Sequence, residues 1–225
     1  MNHVIAIDGP AGSGKGTVAR LTAKRLGFRY IDTGAMYRAA TLYIRRQKTD
    51  INNPAAVTAA VQQCSISFSL SEDMQEQYVL LNGEDVTEEI RSPDITCLVA
   101  PVCSIAGVRT YMAGLQKAAR DMGPLVMEGR DIGTVVYPDA DLKIFLTATI
   151  DERVRRRQKQ YKENGIEMDF QQLKQDMSQR DMIDSTREHS PLKKAPDAVT
   201  INSDGMSVEQ VVDRIITLFR EKTAK

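Results

Sequence analysis

The sequence predicts an α/β fold: a five-stranded parallel sheet with helices on both faces, plus a small antiparallel insert. Three observations carry that expectation. A glycine-rich loop at 9–17 stands between an apolar strand and a helix. Short apolar runs then recur, each followed by a turn and a helical pattern. One stretch, from Ser65 to about Arg91, breaks that rhythm with alternating residues and a tight-turn signal. Strands alternating with helices make doubly wound parallel sheets, whose ligands sit beyond the carboxyl ends of the strands.

The first strand is Val4-Ile5-Ala6-Ile7. It leads into Gly9-Pro10-Ala11-Gly12-Ser13-Gly14-Lys15-Gly16-Thr17, and a helix starts near Lys15 with Val18, Leu21 and Leu26 near one face and Gly27 as its stop. Strand, glycine-rich turn, lysine, hydroxyl residue and helix are the parts of a phosphate-binding loop. Glycines let the backbone wrap a polyphosphate so that successive N–H groups point inward. The helix start adds unpaired donors and the positive end of its dipole. Lys15 supplies a mobile charge for the outer phosphates, and Thr17 a hydroxyl. A turn that only joined a strand to a helix would need no lysine at this offset. The loop is expected to bind a nucleoside triphosphate.

Further along, Tyr30-Ile31 makes a short strand, Gly34 breaks it, and 35–46 is helical. Another helix is expected around 54–63. Ile66, Phe68 and Leu70 alternate with serines, Tyr78 to Leu81 follow, and Asn82-Gly83 is a turn signal, so this part is antiparallel. Helical spacing resumes over 108–122. Leu125-Val126-Met127 ends at Glu128-Gly129-Arg130-Asp131, and 142–146 ends near Thr147. A cation-rich helix over 151–162 breaks at Asn164-Gly165, and 170–183 is helical again. Ala198 to Ile201 gives the last strand, and Ser207 with Gln210 forms a capping box for a helix that buries Val208, Val211, Val212, Ile215, Leu218 and Phe219. The loop at Gly9, Asp32-Thr33, Glu128 to Asp131 and Thr147 are expected to meet at one end of the sheet.

Bulk properties narrow the function. Lysine plus arginine equals aspartate plus glutamate at 30 each, so no global field draws the chain onto nucleic acid or an anionic membrane. Cys64, Cys97 and Cys103 lack a paired metal-ligand spacing and suit a reducing compartment. The opening residues lack a basic region followed by a long apolar segment, and no apolar run approaches the roughly 20 residues of a membrane span. A cytoplasmic protein is expected. A guanine reader of the Asn-Lys-x-Asp type and an Asp-x-x-Gly switch do not occur, which opposes a GTPase. The nearest match to the acidic strand end of a motor or transport ATPase, Leu125 to Glu128, runs straight into Gly-Arg-Asp.

The arginines are more informative. Arg38, Arg109 and Arg130 follow or begin elements; Arg153, Arg156 and Arg157 share a helix face at i, i+3 and i+4; Arg180 and Arg187 flank Asp184. A solvated helix face would be the plain reading of 153–162, with ion pairs under ~1 kcal/mol each. A cation on a transferring phosphoryl group can instead bring on the order of 10³–10⁵ in rate. With a phosphate loop in the same chain the second reading moves ahead for Arg153 and Arg157, while Arg155 stays a surface residue.

Taken together, these motifs resemble bacterial cytidylate kinases. The resemblance rests on the glycine-rich loop; Asp32-Thr33-Gly34-Ala35-Met36-Tyr37-Arg38; Gly83-Glu84-Asp85-Val86 with Ile90-Arg91; Gly129-Arg130-Asp131-Ile132-Gly133-Thr134-Val135-Val136; and Arg180-Asp181 with Asp184 and Arg187. The segment 190–195 fits as well, and the match runs in order over nearly the whole chain. One spacing departs from the general phosphate loop: Gly16 stands between Lys15 and Thr17, as in nucleoside monophosphate kinases, which speaks against direct ligation of magnesium by Thr17.

The resemblance implies the nucleoside monophosphate kinase fold, with core at 1–64, 101–152 and 166–225, a monophosphate-binding insert at 65–100, and a short lid at 153–165. It implies transfer from ATP to CMP or dCMP, with Mg²⁺ as cofactor. Lys15 and the loop amides would hold the ATP phosphates. Arg38 and Arg130 would grip the acceptor phosphate bidentately. Thr33, Asp184 and Arg180 would hold its sugar, and Arg109 and Arg187 would read cytosine. Asp131 would position magnesium through water, its alternative being a structural carboxylate. Arg153 and Arg157 would close over the phosphates. Ala100 stands where relatives often carry serine, so one base contact is absent or replaced. ATP and CMP or dCMP are then the partners of a monomer that binds no nucleic acid or membrane. An adenylate or shikimate-type kinase is the alternative among enzymes, and a nucleotide-binding regulatory module the alternative outside them. His3 and His189 take no part, since the acceptor phosphate is already ionised and needs no base.

Overall fold

The computed structural model describes residues 2–70, 77–163 and 165–224. Two expectations touch residues outside these: Asn164 in the helix break and lid, and 71–76 within the insert. The chain forms two compact units, one from 1–30 with 119–225 and the other from 31–118.

The first unit is organised on β1 (Val4–Asp8), whose five residues are all buried. That is why the run is apolar throughout rather than alternating: a parallel strand covered on both faces has no wet side. The loop follows, then α1 (Lys15–Leu26), closed by Gly27 at φ 67°. β2 (Arg29–Asp32) carries the chain out of this unit, and β6 (Leu125–Gly129), β7 (Leu142–Thr147) and β8 (Val199–Asn202) complete the sheet in the order β2-β6-β1-β7-β8. Parallel pairing sets Asp8 beside Gly129 on one side and Phe145 on the other, so the loops after β1, β6 and β7 leave from one end. Between β6 and β7 a π-helical turn spans Ile132–Val136.

The helices α6 (Ile150–Glu163) and α7 (Phe170–Thr186) pack on each other through Val154, Leu173 and Met177. The last helix, α8 (Val208–Thr223), packs on the sheet with α1, burying Val211, Val212, Ile215, Ile216 and Phe219. Val208 and Leu218 are only partly buried, and Ile216 takes an inward place that the sequence reading did not give it. The capping box is complete: Ser207 Oγ accepts from Gln210 N at 3.2 Å and Gln210 Oε1 from Ser207 N at 2.8 Å.

The second unit begins with α2 (Thr33–Arg46). The helix starts two residues earlier than expected, because Asp32 caps it: its Oδ1 accepts from Ala35 N at 3.0 Å, which keeps Gly34 helical. Asn53 caps α3 (Pro54–Val61) in the same way. β3 (Ile66–Leu70), β4 (Gln77–Leu81) and β5 (Glu84–Asp85) form an antiparallel sheet whose Asn82-Gly83 turn has φ of 52° and 85°. Two helices then meet at Ile105, α4 (Pro93–Ser104) and α5 (Ala106–Ala118). The first of these was not expected from sequence. Its prolines hide it: Pro93 occupies the first turn, where a missing N–H costs nothing, and Pro101 falls in the last turn. No single helix among the described residues is long and apolar enough to cross a membrane.

Candidate nucleotide-binding and phosphoryl-transfer site

The loop between β1 and α1 closes on itself through Lys15. The lysine is 5% exposed, and its Nζ donates to the Pro10 carbonyl at 2.8 Å and to Ser13 Oγ at 3.5 Å. Burial lowers its pKa to about 7, the Arg130 guanidinium adding to the effect while Glu128 and Asp8 oppose it. Thr17 is exposed. The glycine after the lysine has a packing reason: a Cβ on Gly16 would lie 2.8 Å from Glu128 Oε1. Tyr30 fixes that carboxylate by donating its hydroxyl to Oε1 at 2.8 Å. A side chain directly after Lys15 would strike Glu128, so the hydroxyl residue stands one place later.

Asp8, at the end of β1, shapes the neighbouring turn. Its two oxygens accept from Ile132 N at 2.8 Å and Gly133 N at 2.7 Å, which pins the turn that presents Arg130 and Asp131. Burial raises this carboxyl to about 6, against the pull of the two N–H groups. The role was invisible in sequence except as an acid ending a buried apolar run.

Beside the loop lies an alternating network of charge. Arg130 Nε donates to Asp184 Oδ2 at 2.8 Å. Arg187 Nη1 reaches Asp184 Oδ1 at 3.3 Å, Arg187 Nη2 lies 3.9 Å from Asp131 Oδ1, and Arg187 Nε donates to the Ser190 carbonyl at 2.8 Å. Burial works against both charges, but Arg130 and Asp184 reverse it for each other, so the guanidinium is raised and the carboxyl lowered. Asp131 is buried, and the half-buried Arg180 acts electrostatically on both Lys15 and Asp184. The segment after α7 folds back to support the group, Leu192 N donating to the Asp184 carbonyl at 2.7 Å.

The α6 arginines divide their work. Arg153 is buried against the loop: Nη1 donates to the Ala11 carbonyl at 3.0 Å and to Asp181 Oδ2 at 2.5 Å, and Nε to the Ala148 carbonyl at 3.1 Å. Arg156, which the sequence placed on the same face without a role, donates to the Ser13 carbonyl at 3.3 Å and to Ser203. Arg157 lies over the Tyr161 ring at 4.8 Å and bonds Gln160. Arg155 is exposed, on Glu152.

In the second unit Thr33 is buried at the first position of α2. Arg38 Nη1 donates to Thr96 Oγ1 at 2.8 Å, and Arg109, 4% exposed, stacks over the Tyr37 ring at 5.5 Å. Ala100 lies on α4. Among the described residues no group of three or more His, Cys, Asp or Glu is placed to hold a metal ion. The carboxylates near the loop are instead tied to N–H groups, a hydroxyl and arginine, a donor set suited to an ion carried by phosphate oxygens and water.

A family model described as cytidylate kinase matches residues 5–221. The chain belongs to the cytidylate kinase family. It is 47% identical over 218 residues to a cytidylate kinase of Enterococcus faecalis, covering 97% of this chain and 96% of that one. It is likewise 47% identical over 221 residues to a bifunctional pantoate ligase/cytidylate kinase of Acaryochloris marina. There it covers 97% of this chain and 42% of the relative, so the chain spans less than half the length of that curated relative. A solved shikimate kinase from Bacteroides thetaiotaomicron shares the fold at a TM-score of 0.51 and 13% identity, with 98% of this chain and 99% of that chain covered.

In this chain the sequence motifs singled out the charged side chains beside the loop and missed their supports. Tyr30, Arg156 and Asp181 went unassigned because each acts on a partner far along the chain. Asp181 could have been noticed from its place beside Arg180 in a motif already singled out.

Proposed function

We propose that this chain transfers the terminal phosphoryl group of ATP to CMP or dCMP, giving ADP and CDP or dCDP, by direct in-line displacement. The observation that carries the reading is the junction of the loop lysine with the arginine–carboxylate network: one buried ammonium for a polyphosphate donor, beside guanidinium groups suited to a second phosphate. A sensor that only bound ATP would have no use for the second set.

In this reading the loop amides and Lys15 hold the β- and γ-phosphates, while Arg38 and Arg130 take the acceptor phosphate. Thr33, Asp184 and Arg180 hold the sugar, and Arg109 and Arg187 donate to cytosine O2 and N3. The catalytic step needs charge neutralisation and alignment rather than a base, because the attacking oxygen belongs to an ionised phosphate. Mg²⁺ would supply charge neutralisation on the phosphates, and Asp131 would hold it through water. Residues 65–100 serve as the acceptor-binding insert and 153–165 as the lid. Arg157 is its mobile cation, and Arg153 works from the loop side. Closure excludes water, so ATP is not hydrolysed. We place the protein in the cytoplasm, where cysteines without paired metal-ligand spacing are at home, and take it as a monomer from the family resemblance.

The test is a set of initial rates with Mg²⁺-ATP and CMP, dCMP, UMP or AMP under one condition. CMP and dCMP should lead by at least about tenfold, since a polar base site strongly rejects a ligand that leaves its groups unpaired. AMP phosphorylated as well as CMP would overturn the assignment, and ATP binding without any transfer would favour the regulatory module.

A further inference from the structure

The helix α7 carries two sets of residues on adjacent turns. Arg180, Asp184 and Arg187 belong to the arginine–carboxylate network. Met177 and Asp181 face the phosphate loop, and 177, 181 and 184 follow the i, i+4, i+7 spacing of one helical face. The loop lies directly against that face: a Cβ on Gly12 would come within 2.8 Å of Met177 Cε and 3.1 Å of the Arg153 carbonyl oxygen. Asp181 Oδ2 sits 2.5 Å from Arg153 Nη1, the same nitrogen that donates to the Ala11 carbonyl at 3.0 Å. The other oxygen of Asp181 is buried with no hydrogen-bond partner among the described residues. Its hydrogen bond therefore goes to Arg153, while its charge adds to the field that keeps Arg130 protonated.

The consequence follows from peptide geometry. The C=O of Ala11 and the N–H of Gly12 belong to one planar unit and point in opposite directions. A guanidinium that holds the carbonyl on the helix side keeps the amide turned the other way. Gly12 has φ +74°, and a glycine lets such a unit turn over readily, which would put an oxygen where a phosphate needs a donor. The clamp must come from outside the loop, and the side chain that orients it sits on the helix bearing Asp184.

We propose that Asp181 is a positioning residue: acting through Arg153, it sets the amide orientation of the phosphate loop and ties that orientation to the placement of α7. This rests on the reading of α7 as the acceptor-binding helix. Binding of the acceptor to Asp184 and Arg180 thereby organises the donor loop, although the acceptor does not touch it.

The test is a double-mutant cycle on full-length protein with Asp181→Asn, Arg153→Ala and the combined variant, measuring KM for ATP and for CMP separately. Asp181→Asn should raise KM for ATP by roughly tenfold, the scale of one charge-assisted hydrogen bond, and KM for CMP by less than about twofold. The combined variant should lose no more than Arg153→Ala alone. Lys174→Ala removes a different α6–α7 ion pair, Lys174 to Asp151 at 2.7 Å, and should shift neither KM; it is the control for helix packing alone. If Asp181→Asn does not fold, Asp181→Ser enters the same cycle. Equal rises in both KM values, additive losses, or a Lys174→Ala variant that behaves like Asp181→Asn would overturn the proposal. Failure of the kinase reading looks different: the parent protein itself would show no preference for CMP, while the cycle could still be run on the acceptor it did accept.

Discussion

At the scale of single residues, burial makes the proton on Lys15 easy to lose. Its pKa of about 7 means that above neutrality much of the protein holds the amine uncharged. A polyphosphate restores the charge, so ATP binding near pH 8 should take up close to one proton, and near pH 6 almost none. Calorimetry in buffers of different ionisation enthalpy measures this directly, and Lys15→Met should abolish the buffer dependence. A parent protein with no buffer dependence near pH 8 would show that the ammonium is already charged. The sign for folding is opposite for the two buried groups. The Lys15 pKa falls from 10.5, so its contribution favours folding as pH rises from about 7 toward 10.5. That of Asp8 rises from 3.8 to about 6, so its contribution is lost as pH climbs through that interval. The charged residues of the site were legible because their chemistry shows in the letters. Arg156 and Asp181 were not, because their partners are backbone carbonyls and a helix whose facing only the fold decides.

At the scale of elements, local signals and packing agree most closely in α8. Its cap is reciprocal and its inner face is continuous. Ser207→Ala should cost about 1 kcal/mol and lower the melting temperature by roughly 2–4 °C, as expected for a chain of this size. The rate constants should not change, since the cap touches no site residue; a fall in turnover without a fall in melting temperature would contradict that. Strands were the most legible elements, since β1, β6 and β7 are buried and mostly apolar, with no wet face to impose alternation. The helix α4 was the least legible. Its prolines are the letters a reader takes for loops: Pro93 is harmless in the first turn, whereas Pro101 lies inside the helix and leaves one carbonyl of the preceding turn without its amide. The π-helical turn at Ile132–Val136 had no sequence signal either: it depends on an acid more than a hundred positions earlier accepting its first two amides.

For the molecule as a whole, the balance of 30 basic and 30 acidic residues leaves no field to attract a polyanion from a distance. In the proposed function, affinity for phosphate resides in the loop and the arginine network rather than in a surface field. Gel-shift measurements with duplex DNA and sedimentation with anionic vesicles, both at about 0.15 M salt, should show no retention; retention of either would mean that a surface patch escapes this balance. Parallel order, sheet size and the antiparallel piece could all be anticipated, because alternation of strand and helix dictates them. The division of the chain at Tyr30 and Ala119 could not, since nothing in composition marks it. That division has a topological root in the first unit. Arg29, just before the chain leaves, donates through Nη1 to the carbonyl of Ala119, where the chain returns, at 3.2 Å, and through its N–H to Pro124 at 3.0 Å. Exit and re-entry are stitched together within the first unit itself, by two bonds whose ends both lie in it. A change of chain length anywhere within 31–118 therefore leaves both stitches intact, and the strands they hold need not register it.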